Sequence, residues 1–430
     1  MTETMIMPLL LLGLFLICCF IGVPVSFCIG FTTWTAFLML DGKLMVLAQK
    51  LFSGINSFSY LCIPLFVLCA EIMSQGKLID KIVSFCNVFI GHVRGGLAYV
   101  NVLDSMCFAG ISGSASADMA SIGKILVDTM TAAGYNRKFS ATLSAASATI
   151  APLIPPSTIM IIYASAAGGV SIGKLFAGGF LPGVVYGLAQ ICLCAYYARK
   201  YNFPTTGRMA TLREIWHTVK DSASVMLLPV IIMGSIVTGI CTATEAGALA
   251  VCYALIITLV QRRMNLKELY GCLISTARLT ASVTFIVATA SAMGWVITAL
   301  QIPQKLALFC LDYISSPTVF LLFVNILLLI VGCLLDGAPA VLLLAPILCP
   351  VAEMYDIDLI HFGIVMCMNL TIGLITPPIG ILLFVCSNVT SIKLGDLYKS
   401  VWPFVLCGII VLLIITYVPI TVTFIPSLMK

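Results

Sequence analysis

Ile111-Ser112-Gly113-Ser114-Ala115-Ser116-Ala117-Asp118 stands at the middle of about 40 largely apolar residues whose flanks, Arg94 and Arg137, are both cationic. Loops facing the cytoplasm gather Lys and Arg, so two cationic flanks place both ends of this stretch on one side of a membrane. The small and polar residues at its midpoint are poor helix formers and good turn formers. Residues 95–133 are therefore expected to dip into the bilayer and return, with the tip near the midplane. Residues 317–354 read the same way from the opposite face, with Asp336-Gly337-Ala338-Pro339 at the tip.

The two hairpins belong to a duplication. Ile154-Pro155-Pro156 has a counterpart in Ile375-Thr376-Pro377-Pro378, and the offset of 222 residues from Pro155 to Pro377 also pairs Ser114 with Asp336, Ser165 with Ser387 and Gly173 with Gly395. Two units of about 200 residues follow. Gly134-Tyr135-Asn136-Arg137-Lys138 carries two cations where the aligned Asp356-Ile357-Asp358-Leu359-Ile360 carries two acids. That reversal is what an inverted-topology repeat predicts.

Composition agrees. With 61% hydrophobic and 9% charged residues, the chain cannot bury most of its apolar side chains in a water-facing globule. Its long apolar runs do not alternate as barrel strands do, so an all-α polytopic membrane protein is expected. Spans near 6–23, 25–40 and 57–74 precede the first hairpin, and spans near 223–240, 245–262 and 270–300 precede the second. This divides the chain into scaffold helices (1–94), a first transport half (95–200), an interfacial linker helix (201–222), further scaffold helices (223–316) and a second transport half (317–430). Both termini are expected in the periplasm of a bacterial inner membrane, with no removable signal peptide. The 18 cysteines form no C-x-x-C pair and read as buried free thiols. The net charge of +5 is accounted for by cytoplasmic loops, without a nucleic-acid partner.

Main chain without helical partners is tolerated at membrane depth only inside protein or along a cavity. The two tips and the two Pro-Pro breaks are four such interruptions. Proline removes a helical hydrogen bond, which frees the carbonyl four residues earlier to hold a cation. Ser144, Ser147, Thr149, Ser157, Asn369, Thr371 and Thr376 lie around the breaks, an uncharged oxygen-rich set suited to Na⁺. Ser112, Gly113, Thr149, Gly337, Pro339, Asn369, Thr371 and Thr376 are the candidate ion-binding residues. The helix N-termini at the same breaks attract carboxylates. Ser114, Ser116, Ser157 and Asp336 are the candidate substrate-binding residues. Asp118 and Asp336 are intramembrane acids with three open roles: orienting the tip serines, holding a cation or binding substrate hydroxyls.

Plainer readings compete with these. Ser/Gly/Ala runs serve close helix packing, and paired prolines serve kinks. Their recurrence at matched positions favours a site. Glu71 and Asp104 read as interfacial residues, Glu245 in Thr242-Ala243-Thr244-Glu245 as a helix cap, and Lys124 as a snorkelling side chain without a role.

Five stretches together resemble the large membrane subunit of tripartite ATP-independent periplasmic transporters, the DctM-like family. They are Ser112–Asp118, Ile154–Ser157, Thr242–Ala248, Asp336–Pro339 and Thr376–Gly380. The resemblance implies a small four-helix membrane subunit (DctQ-like) on a separate polypeptide and a soluble periplasmic substrate-binding protein (DctP-like). It also implies sodium coupling rather than ATP, and an elevator motion of the hairpin-bearing part against a scaffold. The leading expectation is a sodium-coupled importer of a small carboxylate, with no resident cofactor and no enzymatic activity. The competing one is a stand-alone sodium/anion symporter or exchanger of related fold, distinguished by transport without partners.

Overall fold

A helix apolar on every face is stable only inside a core or in hydrocarbon, and the chain is built from such helices. The computed structural model describes residues 2–40, 42–205, 209–314 and 316–429. Among them there is no strand, and eight helices are long and apolar enough to cross a bilayer. Large apolar side chains such as Phe20, Val230 and Val260 face outward, as lipid contact requires.

The first half runs through α1 (Thr2–Phe20), α2 (Val25–Met39), α3 (Leu44–Ile55), α4 (Cys62–Gln75) and α5 (Ile79–Ile90). The first hairpin follows as α6 (Gly96–Ser112) and a return arm of α7 (Ala115–Asp118), a π-turn at Met119–Gly123 and α8 (Lys124–Ala132). A helix broken at Pro155-Pro156 comes next, as α9 (Arg137–Ala148) and α10 (Thr158–Ala166), and then α11 (Ile172–Lys200). The second half repeats the plan with α12 (Leu212–Val237), α13 (Ala243–Val260), α14 (Leu266–Ala299) and α15 (Ile302–Tyr313). Its hairpin is α16 (Pro317–Leu334) and α17 (Gly337–Met354), its broken helix α18 (Leu359–Gly373) and α19 (Ile381–Thr390), followed by α20 (Leu394–Tyr417) and α21 (Ile420–Leu428). Both expected hairpins are present, within a residue of the expected bounds.

The packing follows the duplication. The arms of each hairpin barely touch one another; α9 packs against both α6 and α8, and α18 against both α16 and α17. The second piece of each broken helix crosses to the other half: α10 packs on α17, and α19 on the return arm of the first hairpin. Helices α2–α4 pack on α14, α4 on α13 and α5 on α12, and this group meets the hairpins through α5 on α6 and α14 on α17. Asn136 and Asp358, 222 residues apart, both cap their helices. Asn136 accepts from the Lys138 N–H at 2.9 Å, and Asp358 from those of Ile360 and His361 at 2.7 and 3.0 Å.

Three short helices, α3, α5 and α15, have 12 residues each, too few for a span, and went unforeseen. The expected interfacial linker helix does not form as a separate element. Leu212–Lys220 are the opening turns of α12, which runs unbroken to Val237. The start is set by a capping box: the Thr211 N–H donates to Glu214 at 2.7 Å and the Glu214 N–H to the Thr211 hydroxyl at 3.3 Å. Glu245 makes the expected cap with Thr242, at 2.8 and 3.3 Å.

Helices α16 and α18 cross at a pair of glycines. A Cβ on Gly373 would lie 2.4 Å from the Gly332 carbonyl carbon, so the two backbones are in direct contact. Gly373→Val should therefore destabilise the protein by about 1–3 kcal/mol, read as a lower unfolding midpoint in detergent. Gly395→Ala, where an added Cβ meets nothing within 4 Å, should leave the midpoint unchanged.

Candidate functional site

The hairpin tips are made by residues that stop one helix and start the next. Gly113 ends α6 in the left-handed region at φ 58°, and a Cβ there would lie 1.9 Å from the Pro156 carbonyl oxygen. Only glycine fits both the torsion and the space. Beside it, the Thr158 hydroxyl donates to the Gly113 carbonyl at 3.4 Å. In the other half Gly380, also left-handed at φ 62°, donates its N–H to the Cys333 carbonyl at 3.2 Å. Each tip is thus fastened to the break of its own repeat.

Three helices begin where the tips meet. Ser114 caps α7, accepting from the Ala117 N–H at 3.5 Å. Ser157 caps α10, accepting from the Met160 N–H at 3.4 Å, and Asp336 occupies the N-cap of α17. Their first turns surround a crevice of about 70 Å³ lined by residues 113–116, Pro152, Thr158, Ile159, residues 336–338, Thr371 and Leu374. The first N–H groups of a helix lack intrahelical partners and carry the positive end of its dipole. Asp336 is the one charged side chain among the lining residues. A small anion can accept from the helix starts, and a cation can sit against the Asp336 carboxylate.

Of the candidate residues, Gly113, Ser114, Ser116, Asp336, Gly337 and Thr371 line this crevice. The others lie behind it. Ser157 is fully buried and its hydroxyl donates to the Pro152 carbonyl at 2.6 Å. Thr149 donates to the Ala146 carbonyl at 2.5 Å and meets the Tyr186 hydroxyl at 3.0 Å. Its counterpart Thr371 donates to Cys367, and Thr376 donates to Ile372 at 2.9 Å. Pro339 is buried in the first turn of α17. Asn369 donates to the Asn325 side chain at 2.9 Å and leaves its own Oδ1 buried without a partner; the Ser112 hydroxyl is likewise unpartnered.

Of the four carbonyls expected to be freed by the prolines, three have found donors. Pro152 accepts from Ser157, Gly373 from the Thr376 N–H at 2.9 Å and Leu374 from the Leu382 N–H at 3.0 Å. Each keeps one lone pair for an ion.

Two features escaped the sequence reading. Thr158 lines the crevice, and Asn101 of α6 anchors α9 by donating to Ser144 at 2.7 Å and accepting from Ser147 at 2.8 Å. The signal was present, since Asn101, Asp104 and Ser105 stand at helical spacing in an apolar helix. Asp104, expected at an interface, is instead fully buried with neither carboxylate oxygen hydrogen-bonded. Glu71 accepts from the Ser275 hydroxyl at 2.8 Å, and Lys124 is exposed.

Comparison with known proteins agrees with this architecture. The profile of the family described as "Tripartite ATP-independent periplasmic transporter, DctM component" matches residues 12–421. The chain is 39% identical to the C4-dicarboxylate TRAP transporter large permease protein DctM of Pseudomonas aeruginosa, over 90% of each chain. It is 36% identical to the isethionate TRAP transporter permease protein DctMQ of Oleidesulfovibrio alaskensis, over 95% of this chain and 65% of that one. Its fold is similar to the crystal structure of the Alcanivorax borkumensis YdaH transporter, at TM-score 0.66 and 13% identity, covering 87% of this chain and 88% of that one. With the duplicated hairpins and broken helices in place, the chain belongs to the DctM family as a large permease component of a tripartite ATP-independent periplasmic transporter.

Proposed function

We propose that this permease carries out sodium-coupled uptake of a small organic carboxylate, a dicarboxylate or sugar acid. The observation that carries the reading is the convergence of three helix N-termini and one carboxylate on a single crevice without Lys, Arg or His in its lining. Such a site holds an anion through backbone donors and needs a cation to balance Asp336. The unpartnered oxygens of Ser112 and Asn369 add hard ligands of the kind Na⁺ prefers. The Pseudomonas relative, named for C4-dicarboxylate, supports the substrate class.

Moving one charge through the membrane field is worth about 2.3 kcal/mol per 100 mV, so one Na⁺ only offsets a monovalent anion and at least two are required. A soluble periplasmic binding protein delivers the substrate, and a small membrane subunit completes the complex. The length of the DctMQ relative beyond its match to this chain supports the second partner. The hairpins and their broken helices move as an elevator against the group formed by α2–α5 and α12–α14. The cationic loop 134–138 faces the cytoplasm of a bacterial inner membrane, and both termini are periplasmic.

Three results are expected. C4-dicarboxylate uptake into liposomes holding the complete complex should stop when Na⁺ is replaced by K⁺; unchanged uptake would remove the coupling. Ser114→Ala and Asp336→Ala should each abolish uptake with normal insertion, whereas full activity in both would move the site elsewhere. Cysteines placed at Asn136 and Asp358 should react with an impermeant reagent from opposite sides of the membrane, and labelling from one side would refute the inverted arrangement.

A further inference from the structure

Asp104 lies about halfway along α6, and its carboxylate is fully buried with both oxygens unpartnered. Asp118, in the return arm, is 2% exposed and leaves Oδ2 unpartnered. The Ser105 hydroxyl lies against the Asp118 carboxyl, and the two carboxyls are within electrostatic reach of each other. The remaining titratable groups facing Asp104 are Cys107 on its own helix and, from α5, Asp80 and Cys86. Toward α9 it has the uncharged neighbourhood of Asn101, Ser144 and Ser147. Among the described residues no Lys, Arg or His faces it from the elements packed against α6, namely α4, α5, α7, α8, α9, α11 and α12.

Hairpin geometry does not call for these acids. At the 222-residue offset the second repeat has Ile326 and Ala340 in their places, and its hairpin folds in the same way. An ionised carboxylate without a partner in an apolar interior costs several kcal/mol, and a second one beside it raises the cost. Something must neutralise the pair. Among the described residues no three His, Cys, Asp or Glu side chains are grouped to hold a multivalent metal ion. A proton needs no coordination shell.

We propose that Asp104 and Asp118 form a proton-binding pair inside the first hairpin, separate from the crevice at the tips. Each carboxylate takes up one H⁺ to become a carboxylic acid, and the pair goes from two negative charges to none. The protons then travel with this hairpin and α9, whichever ion the crevice holds. The inference does not depend on sodium coupling.

Infrared spectroscopy of the full chain in lipid, titrated between about pH 5 and pH 9, tests this without any substrate. A carbonyl band from a protonated, dehydrated carboxylic acid should be present at the acid end. It should lose intensity in Asp104→Asn and in Asp118→Asn, and vanish in the double variant. A wild-type spectrum showing only ionised carboxylate at the acid end overturns the proposal. So does a carboxylate band that shifts with Na⁺ but not choline, which would assign a metal cation instead, or a carbonyl band unchanged in both single variants. Should Asp104→Asn fail to insert, the wild-type spectrum and Asp118→Asn decide alone.

Discussion

Main chain that leaves a helix at membrane depth has to find its partners within the protein, because lipid offers none. In this permease the requirement is met twice by the same device, a hairpin tip pressed against a Pro-Pro turn. Gly113 lies so close to Pro156 that a side chain could not be inserted, and Gly380 donates its N–H to Cys333. Everything else around the crevice follows from these two contacts. They fix where the helices after each interruption begin, and so where the free N–H groups point.

The duplication turns this device into a site. Each broken helix sends its first piece between the arms of its own hairpin and its second piece against the hairpin of the other repeat. The two tips therefore cannot be placed independently. Ser114 and Asp336, equivalent by position, arrive at one crevice as a hydroxyl and a carboxylate. That difference lets one pseudo-symmetric fold present donors to an anion and an acceptor to a cation. The repeats diverge again at Asp104 and Asp118, where the second half is apolar. The acids at these two positions belong to one half only, whereas Asn325 gives the second hairpin a buried polar anchor as Asn101 gives the first.

Polar groups near the breaks are mostly engaged with the backbone. Thr149, Thr371, Thr376 and Ser157 all donate to backbone carbonyls beside the breaks, and Ser157 reaches the Pro152 carbonyl that loses its helical partner. Residue type alone made these side chains resemble a ligand set. Their hydrogen bonds show that a hydroxyl beside a broken helix first satisfies that helix, and its lone pairs remain for an ion.

Sequence alone determined the membrane class, the two hairpins with their bounds, the two breaks and the reversed charge of the loops at 134–138 and 356–360. These are local or periodic properties: hydropathy over a span, turn chemistry at Ser112–Asp118, and cation placement in short loops. Tertiary structure decided which candidates share a crevice and which lie behind it, as with Ser116 against Ser157. It also decided that α10 and α19 cross to the opposite hairpin, and that Asp104 is buried without a partner. None of these is written in neighbouring residues. Each depends on which side chains two distant segments bring together, and in an apolar helix a lone acid looks the same whether it faces an interface or the protein interior.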